Sequence, residues 1–578
     1  MAYSEFHTCR SDAWLTSSGT VLLDTDGATL YETDYRGLLL KIIKRNDIPR
    51  LNQYISVYSR AAALAPGEVY YYDPFWVAAA HGSTDALRVL LEQYTAAPTQ
   101  TTALDQRGFT LLNAACGSAS VETVRFLLDS QPPLGTVSAR DRYDETPLLS
   151  AAASLVCLKF EDADESADSY GWIRDRIARG EESMNLLLDR GASAQDAVLP
   201  VQRDGDDGQP QQQQQQQPLD TVLGLAVSRA SYALVKRLID EGADVHTKQQ
   251  HTHKPVGAGG FGRKKTSPRD ITALHLGSLF WNAEGVKALL DHHADNSKIN
   301  STIGHDITDL VSSRDSNGRL PLHWAAAGPG PCECTLPDDE ISSRLIDTFK
   351  LLLAGNPRAI NVQDEEGATP LHYAIGSHAA CGGSKHADLA IRFLLEHGAD
   401  ASVSDGNGQT VLHIFAYRSV DGGPIDTALL DLLVAHGANV NHADKDGNTA
   451  FHIMARNLRQ VQAAKFLLGR GADVRATNAK GDTAFHEAAR GILRPRETRD
   501  KKIEEVTVAD QIRAQDEMMG VLQEASGGDS MMNQPNAAGR TPRQLQSETR
   551  SRWQGMEEQR RRGAPAGRGC SRALGTRG

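Results

Sequence analysis

Read for its hydrophobic and polar positions, most of the chain breaks into short apolar runs at helical spacing, each closed by polar residues and Gly. One stretch, Gln363 to His486, says nearly the same thing four times. It reads Asp364-Glu-Glu-Gly367-Ala-Thr369-Pro-Leu-His372, Asp405-Gly-Asn-Gly408-Gln-Thr410-Val-Leu-His413, Asp444-Lys-Asp-Gly447-Asn-Thr449-Ala-Phe-His452 and Asn478-Ala-Lys-Gly481-Asp-Thr483-Ala-Phe-His486. Between copies lies a second phrase, Phe393-Leu-Leu-Glu-His-Gly-Ala-Asp400, Leu432-Leu-Val-Ala-His-Gly-Ala-Asn439 and Phe466-Leu-Leu-Gly-Arg-Gly-Ala-Asp473. The threonines fall 41, 39 and 34 residues apart, a period that signals a solenoid. Asp and Gly predict a tight turn, since Gly accepts positive φ at little cost. Thr369 is placed as an N-cap whose hydroxyl reaches the free amides of the first helical turn, and Pro370 fits the first helical position. Leu371 is expected in the core, with Ala374 small enough to let the next helix approach. The second phrase ends a longer helix stopped by Gly398, Gly437 or Gly471. Neither helix can bury its apolar face alone, so each pair must stack on a neighbour.

These phrases resemble the ankyrin repeat. The resemblance covers most of Tyr31 to Leu545 and is closest from Asp270 to Ala489. It implies an all-α ankyrin-like solenoid of stacked helix-turn-helix units that acts as a non-enzymatic protein-interaction scaffold. In such folds the turn tips and exposed ends of inner helices line the concave surface. Here the tips offer Glu365, Glu366, Asn407, Gln409, Lys445, Asp446, Asn448, Lys480 and Asp482, and the helix ends offer Tyr417, Arg418, Arg456, Asn457 and Arg490. Arg418, Arg456 and Arg490 recur in consecutive units, which suggests a basic column able to grip an acidic peptide.

Around this centre the pattern varies. Residues 1–30 are a polar segment, and 31–192 hold degenerate repeats with an acidic insertion near Glu161 to Asp168 that delays an outer helix to Met184–Asp189. Residues 193–218 form a low-complexity linker ending in Gln211 to Gln217, expected to be disordered. A repeat at 219–246 precedes a Gly-rich loop, 247–269, with six Lys or Arg and no acid. Core repeats fill 270–489, where Leu320 replaces the capping Thr at a predicted cost of about 1 kcal/mol. Residues 490–549 hold a long-insertion repeat, with an outer helix over Ala509 to Leu522, and a partial cap; 550–578, with eight arginines, read as a basic disordered tail. The extra length at Gly328–Glu340, Gly376–His386, Arg418–Asp426 and Gly491–Thr507 lies between inner and outer helix, so these loops should share one rim.

Composition adds exclusions. Among 578 residues the apolar share of 40% and charged share of 23% are ordinary, and a net charge of −12 gives no general nucleic-acid signature. Seven scattered cysteines favour a reducing, intracellular setting, cytoplasmic or nuclear, and no run of about 18 apolar residues predicts a membrane span. The six histidines at the repeated position are spread by the period and read as local hydrogen-bonding residues rather than ligands or catalysts. Gly257-Ala-Gly259-Gly-Phe-Gly262 lacks a strand before and a helix after it, and Arg263 breaks the phosphate-loop spacing. Cys332-Glu-Cys334 has the wrong gap and no second pair for structural zinc. No enzyme, cofactor or metal is expected. The expected partner is a protein or peptide, with substrate-recruiting adaptor as an alternative role; a nuclear or nucleic-acid role would use the basic loop and tail.

Overall fold

A computed structural model describes residues 7–8, 30–31, 35–58, 63–66, 70–96, 110–131, 133–156, 169–200, 217–250, 268–299, 307–329, 337–380, 385–418, 425–495 and 504–561. The polyglutamine tract up to Gln216, the basic motif Arg263–Lys265, Cys332 and Cys334, and the end of the chain from Arg562 lie outside them. The chain divides into two compact units: Met1–Pro255 with Thr266–Ser316 and Pro329–Asn356, and Val256–Lys265 with Asn317–Gly328 and Pro357–Gly578.

In the first unit two short strands, β1 (His7–Thr8) and β2 (Leu30–Tyr31), pair antiparallel. Helices then come in pairs: α1 (Tyr35–Lys44) and α2 (Ile48–Tyr58), α3 (Pro74–Ala80) and α4 (Thr84–Thr95), α5 (Leu111–Gly117) and α6 (Val121–Asp129), α7 (Pro147–Val156) and α8 (Ser169–Asp189). Strands β3 (Ala197–Val198) and β4 (Asp220–Thr221) lead to α9 (Val222–Ala226) and α10 (Tyr232–Asp240), then α11 (Ala273–Leu279) and α12 (Ala283–Ile299). Short α13 (Ile307–Val311) and long α15 (Asp338–Gly355) complete this unit. The second unit starts with α14 (Pro321–Ala327) and continues as α16 (Pro370–Ala380) and α17 (Lys385–Glu396), α18 (Val411–Arg418) and α19 (Thr427–Ala435), α20 (Ala450–Arg456) and α21 (Val461–Gly469), α22 (Ala484–Ala489) and α23 (Val508–Ser526), ending with α24 (Pro542–Arg561).

Within each unit the first helices of successive pairs lie side by side: α1, α3, α5, α7, α9 and α11 in one, α14, α16, α18, α20, α22 and α24 in the other. This is the all-α solenoid the repeat predicts. Leu371 and Ala374 are fully buried, as are Leu412 and Phe451 at the position of Leu371 in the next two repeats. Burying one such Leu contributes roughly 1.5–3 kcal/mol, and the alanines keep neighbouring helices close.

Four details depart from the sequence reading. The helix expected over Met184–Asp189 begins at Ser169, because the residues after the insertion extend it N-terminally. Ser193 to Pro200 are not a loose linker: β3 pairs with β4 and closes the turn of the following repeat. Residues 550–561, expected to open a disordered tail, continue α24, anchored by Arg550 to the Gln515 side chain at 2.7 Å. Finally, the repeat threonine hydroxyl sits on the imidazole rather than serving mainly as a direct cap: Thr369 Oγ1 is 2.8 Å from His372 Nδ1, while the His372 amide donates to the Thr369 carbonyl.

Candidate partner-binding surface

The turns are built by one carboxylate or amide each. Asp364 Oδ1 accepts from the amides of Glu366 at 2.9 Å and Ala368 at 2.8 Å, and Gly367 completes the turn at φ 78°. A Cβ on Gly367 would lie 2.7 Å from the Gly406 amide nitrogen, so only Gly fits. Asp405, Asp444, Asn478 and Asn536 repeat the same geometry. Successive tips are also joined through the backbone. Glu365 N donates to Asn317 O at 3.0 Å, Gly406 N to Glu366 O at 2.6 Å, Lys445 N to Asn407 O at 2.9 Å, Ala479 N to Asp446 O at 2.9 Å and Ala537 N to Lys480 O at 3.0 Å. The tips therefore form a fixed ladder whose side chains project from a rigid edge.

Behind the tips the histidines lock each repeat to the next. Thr369 N donates to His372 Nδ1 at 3.2 Å, so Nδ1 holds the lone pair and the proton sits on Nε2, which donates to Gln409 O at 3.3 Å. His413 reaches Asn448 O, His452 reaches Asp482 O and His486 reaches Arg540 O in the same way. Only a neutral imidazole satisfies both bonds. Burial pushes His372 down to about 4, and it lowers His413, His452 and His486 too. At Leu320 the hydroxyl is gone, yet the backbone half survives, with Leu320 N donating to His323 Nδ1 at 3.0 Å.

The structure sorts the sequence-predicted residues into two sets. Glu365, Asn407, Lys445, Asp446 and Lys480 are exposed along the ladder, with Glu366 half-buried among them, and Tyr417 is 41% exposed at the end of α18. The other set is occupied internally. Asn448 accepts from Asn478 Nδ2 at 2.8 Å, Gln409 gives its carbonyl to His372, and Asn457 is buried and bridges to Ile492. Asp482 is 1% exposed and receives Arg490 at 2.8 and 3.1 Å and Asn536 at 2.6 Å. Burial would raise its pKa, but Arg490 and Asn536 hold the carboxyl below its usual range.

The arginine column is thus neutralised where it can be followed. Glu487, which the sequence reading passed over, is buried and pairs with Arg456 at 3.4 Å and Arg490 at 3.3 Å. Its signal was an acid placed directly after the buried histidine in an otherwise apolar helix, Ala484-Phe-His-Glu-Ala-Ala489. Arg418 ends α18. Partial burial, then the carboxylates of Asp444, Asp446 and Glu487, push the Tyr417 hydroxyl up to about 12, with Arg456 opposing. The face around Tyr417 is mixed in charge, not basic.

The four insertions are shorter as loops than the sequence suggests, because residues 376–380 extend α16 and residues 338–340 and 385–386 open α15 and α17, while 330–336, 381–384, 419–424 and 496–503 lie outside the described residues. Two of them flank one edge. Ile425 N donates to Gln460 at 2.8 Å, and Arg459 donates to Arg494 O at 2.8 Å, so the short junction 457–460 sits between the bases of both insertions.

The family model for ankyrin repeats matches three overlapping copies, at residues 341–422, 377–478 and 421–494. Residues 341–494 are ankyrin repeats. The chain's ankyrin region is similar to human inversin, 26% identical over 174 residues, covering 27% of this chain and 14% of that protein, and to mouse inversin at 25% over the same length. The chain therefore spans about 14% of the length of the curated relatives it matches. A solved structure, the ankyrin repeat domain of Bcl-3, described as a unique member of the IkappaB protein family, covers 46% of this chain and 92% of its own at 20% identity and a TM-score of 0.29. Ankyrin repeats generally mediate protein–protein interaction. Among the described residues no helix is long and apolar enough to cross a membrane.

Proposed function

We propose that this ankyrin array is a non-enzymatic scaffold that binds a partner protein or peptide along the turn tips of the second unit. The observation that carries the reading is the ladder itself: backbone bonds fix the tips while Glu365, Asn407, Lys445, Asp446 and Lys480 remain exposed. A surface whose order is already fixed loses little entropy on binding, which favours affinity. With Arg456 and Arg490 held by Glu487 and Asp482, the tips rather than an arginine column supply the recognition, and their alternating charges suit a mixed-charge partner. An intracellular, reducing setting accords with Cys116, a free and fully buried thiol.

The test is quantitative affinity capture by the full chain, wild type against Asn407→Ala/Lys445→Ala/Lys480→Ala. The expected result is a set of specific partners depleted at least tenfold by the triple variant while helical circular dichroism stays unchanged. Partners retained in full by a folded triple variant would refute the tip surface.

A further inference from the structure

The residue three places after each cap shows how a repeat is fastened. It is histidine from His275 to His486, but Asn113, Leu149 and Gly224 in three earlier repeats and Gln544 in the last. Asn113 and Gln544 do part of the histidine's job from the same position. Asn113 Nδ2 reaches across to Glu145 O at 2.7 Å, and Gln544 Oε1 accepts from Thr541 N at 3.0 Å. Gly224 has no side chain to offer. In its place stands Gln249, 25 residues further on and fully buried: its Oε1 accepts from Thr221 N at 3.2 Å and from the Thr221 hydroxyl at 2.7 Å. These are the two bonds that Nδ1 of His372 makes to Thr369. Thr221 Oγ1 in turn accepts from Gly224 N at 3.0 Å, the first-turn amide of α9.

Gly224 is there for room. It lies in a helix without a positive φ, and a Cβ built on it would meet Gln249 Nε2 at 2.6 Å and Cδ at 2.8 Å. The missing side chain and the intruding one therefore fit one volume. Gln249 belongs to the turn of the following repeat, where its backbone exchanges two hydrogen bonds with Ile271, at 2.8 and 3.0 Å, just before the Thr272 cap of α11. Elsewhere a histidine reaches forward to the next turn; here the next turn reaches back.

We propose that Gln249 is the cap-completing residue of the repeat before it, a lock supplied from the neighbouring turn, so that the first turn of α9 holds only while the Gln249–Ile271 bridge is closed. The two repeats then open and close as one unit, and any event that parts residues 249 and 271 uncaps α9.

Amide hydrogen exchange on the full chain tests this. Gln249→Ala is expected to speed exchange of residues 221–226 by roughly fivefold, the factor for a lost N-cap, and to leave residues 449–455 as they were. Gly224→Ala is the sharper variant, because Ala in place of Gly ordinarily strengthens a helix. Here its Cβ expels Gln249, so exchange over 221–226 should rise instead. Gly224→His in the Gln249→Ala background returns the cap to its usual position and should bring exchange back to within about twofold of wild type. Unchanged or slower exchange in Gly224→Ala overturns the lock, as does a double variant no better protected than Gln249→Ala. Should Gln249→Ala fail to fold, the Gly224→Ala result decides by its sign alone.

Discussion

The repeats over residues 110–245 and those over 364–490 bury the same kind of apolar positions but fasten neighbours by different means. In the later group a single device recurs: Thr, His, a carbonyl of the next repeat, and a tip ladder. In the earlier group each junction is solved separately, by Asn113, by Gln249, and by ion pairs between second helices, Arg190–Asp129 at 2.6 Å, Arg125–Glu182 at 3.3 Å and Arg237–Asp189 at 2.7 Å. The difference teaches that stacking needs only apolar area, which many sequences supply, whereas the repeated motif records one particular way of fixing register. A repeat can lose the motif and keep the fold, provided another polar group reaches the same amides.

If stacking is common to both groups, core truncation should not tell them apart. Leu371→Ala and Leu148→Ala each remove a fully buried side chain and should each cost about 2–5 kcal/mol in urea unfolding. A much smaller loss at Leu148 would mean that the earlier repeats are packed differently, not merely fastened differently.

Mild acid should separate the groups. His372 has a folded pKa of about 4, below the unfolded value of about 6.5, so the unfolded chain takes up the proton first. Its contribution is complete above pH 6.5 and is lost as pH falls toward 4. At pH 5 the loss for His372 alone is about 2 kcal/mol, and His413, His452 and His486 are shifted the same way. Hydrogen exchange between pH 7 and 5, corrected for intrinsic rates, should show residues 370–490 losing protection before residues 110–240. Equal loss in both would remove the imidazole lattice as the distinguishing feature.

The smallest effect is expected on the outer face. Arg190→Ala removes an ion pair whose partners are 40% and 52% exposed, and unfolding should shift by less than about 1 kcal/mol, less still in high salt. A larger loss would make these pairs the earlier group's principal fastening.

Much of this was legible in the chain itself. The Asp-to-His phrase located the turns, the caps at Thr369 to Thr483 and the buried leucines, because each depends on residues within a few positions of one another. The tip residues Glu365, Asn407, Lys445, Asp446 and Lys480 were legible as well, since a turn must expose something. Misread were groups whose role is set by another repeat: Arg456 and Arg490 looked like a free basic column until Glu487 and Asp482 met them, and Arg550 looked like the start of a loose tail until Gln515 held it in α24.

The sequence alone therefore determined the unit: two helices, a glycine turn, a polar cap and the apolar face that obliges stacking, all encoded by short-range spacing. Only the tertiary structure decided which charges were already spent and which cap came from elsewhere. Gln249 and Gly224 show why, since they are 25 residues apart and complement each other only after two repeats have stacked and brought an amide into the space a missing side chain leaves.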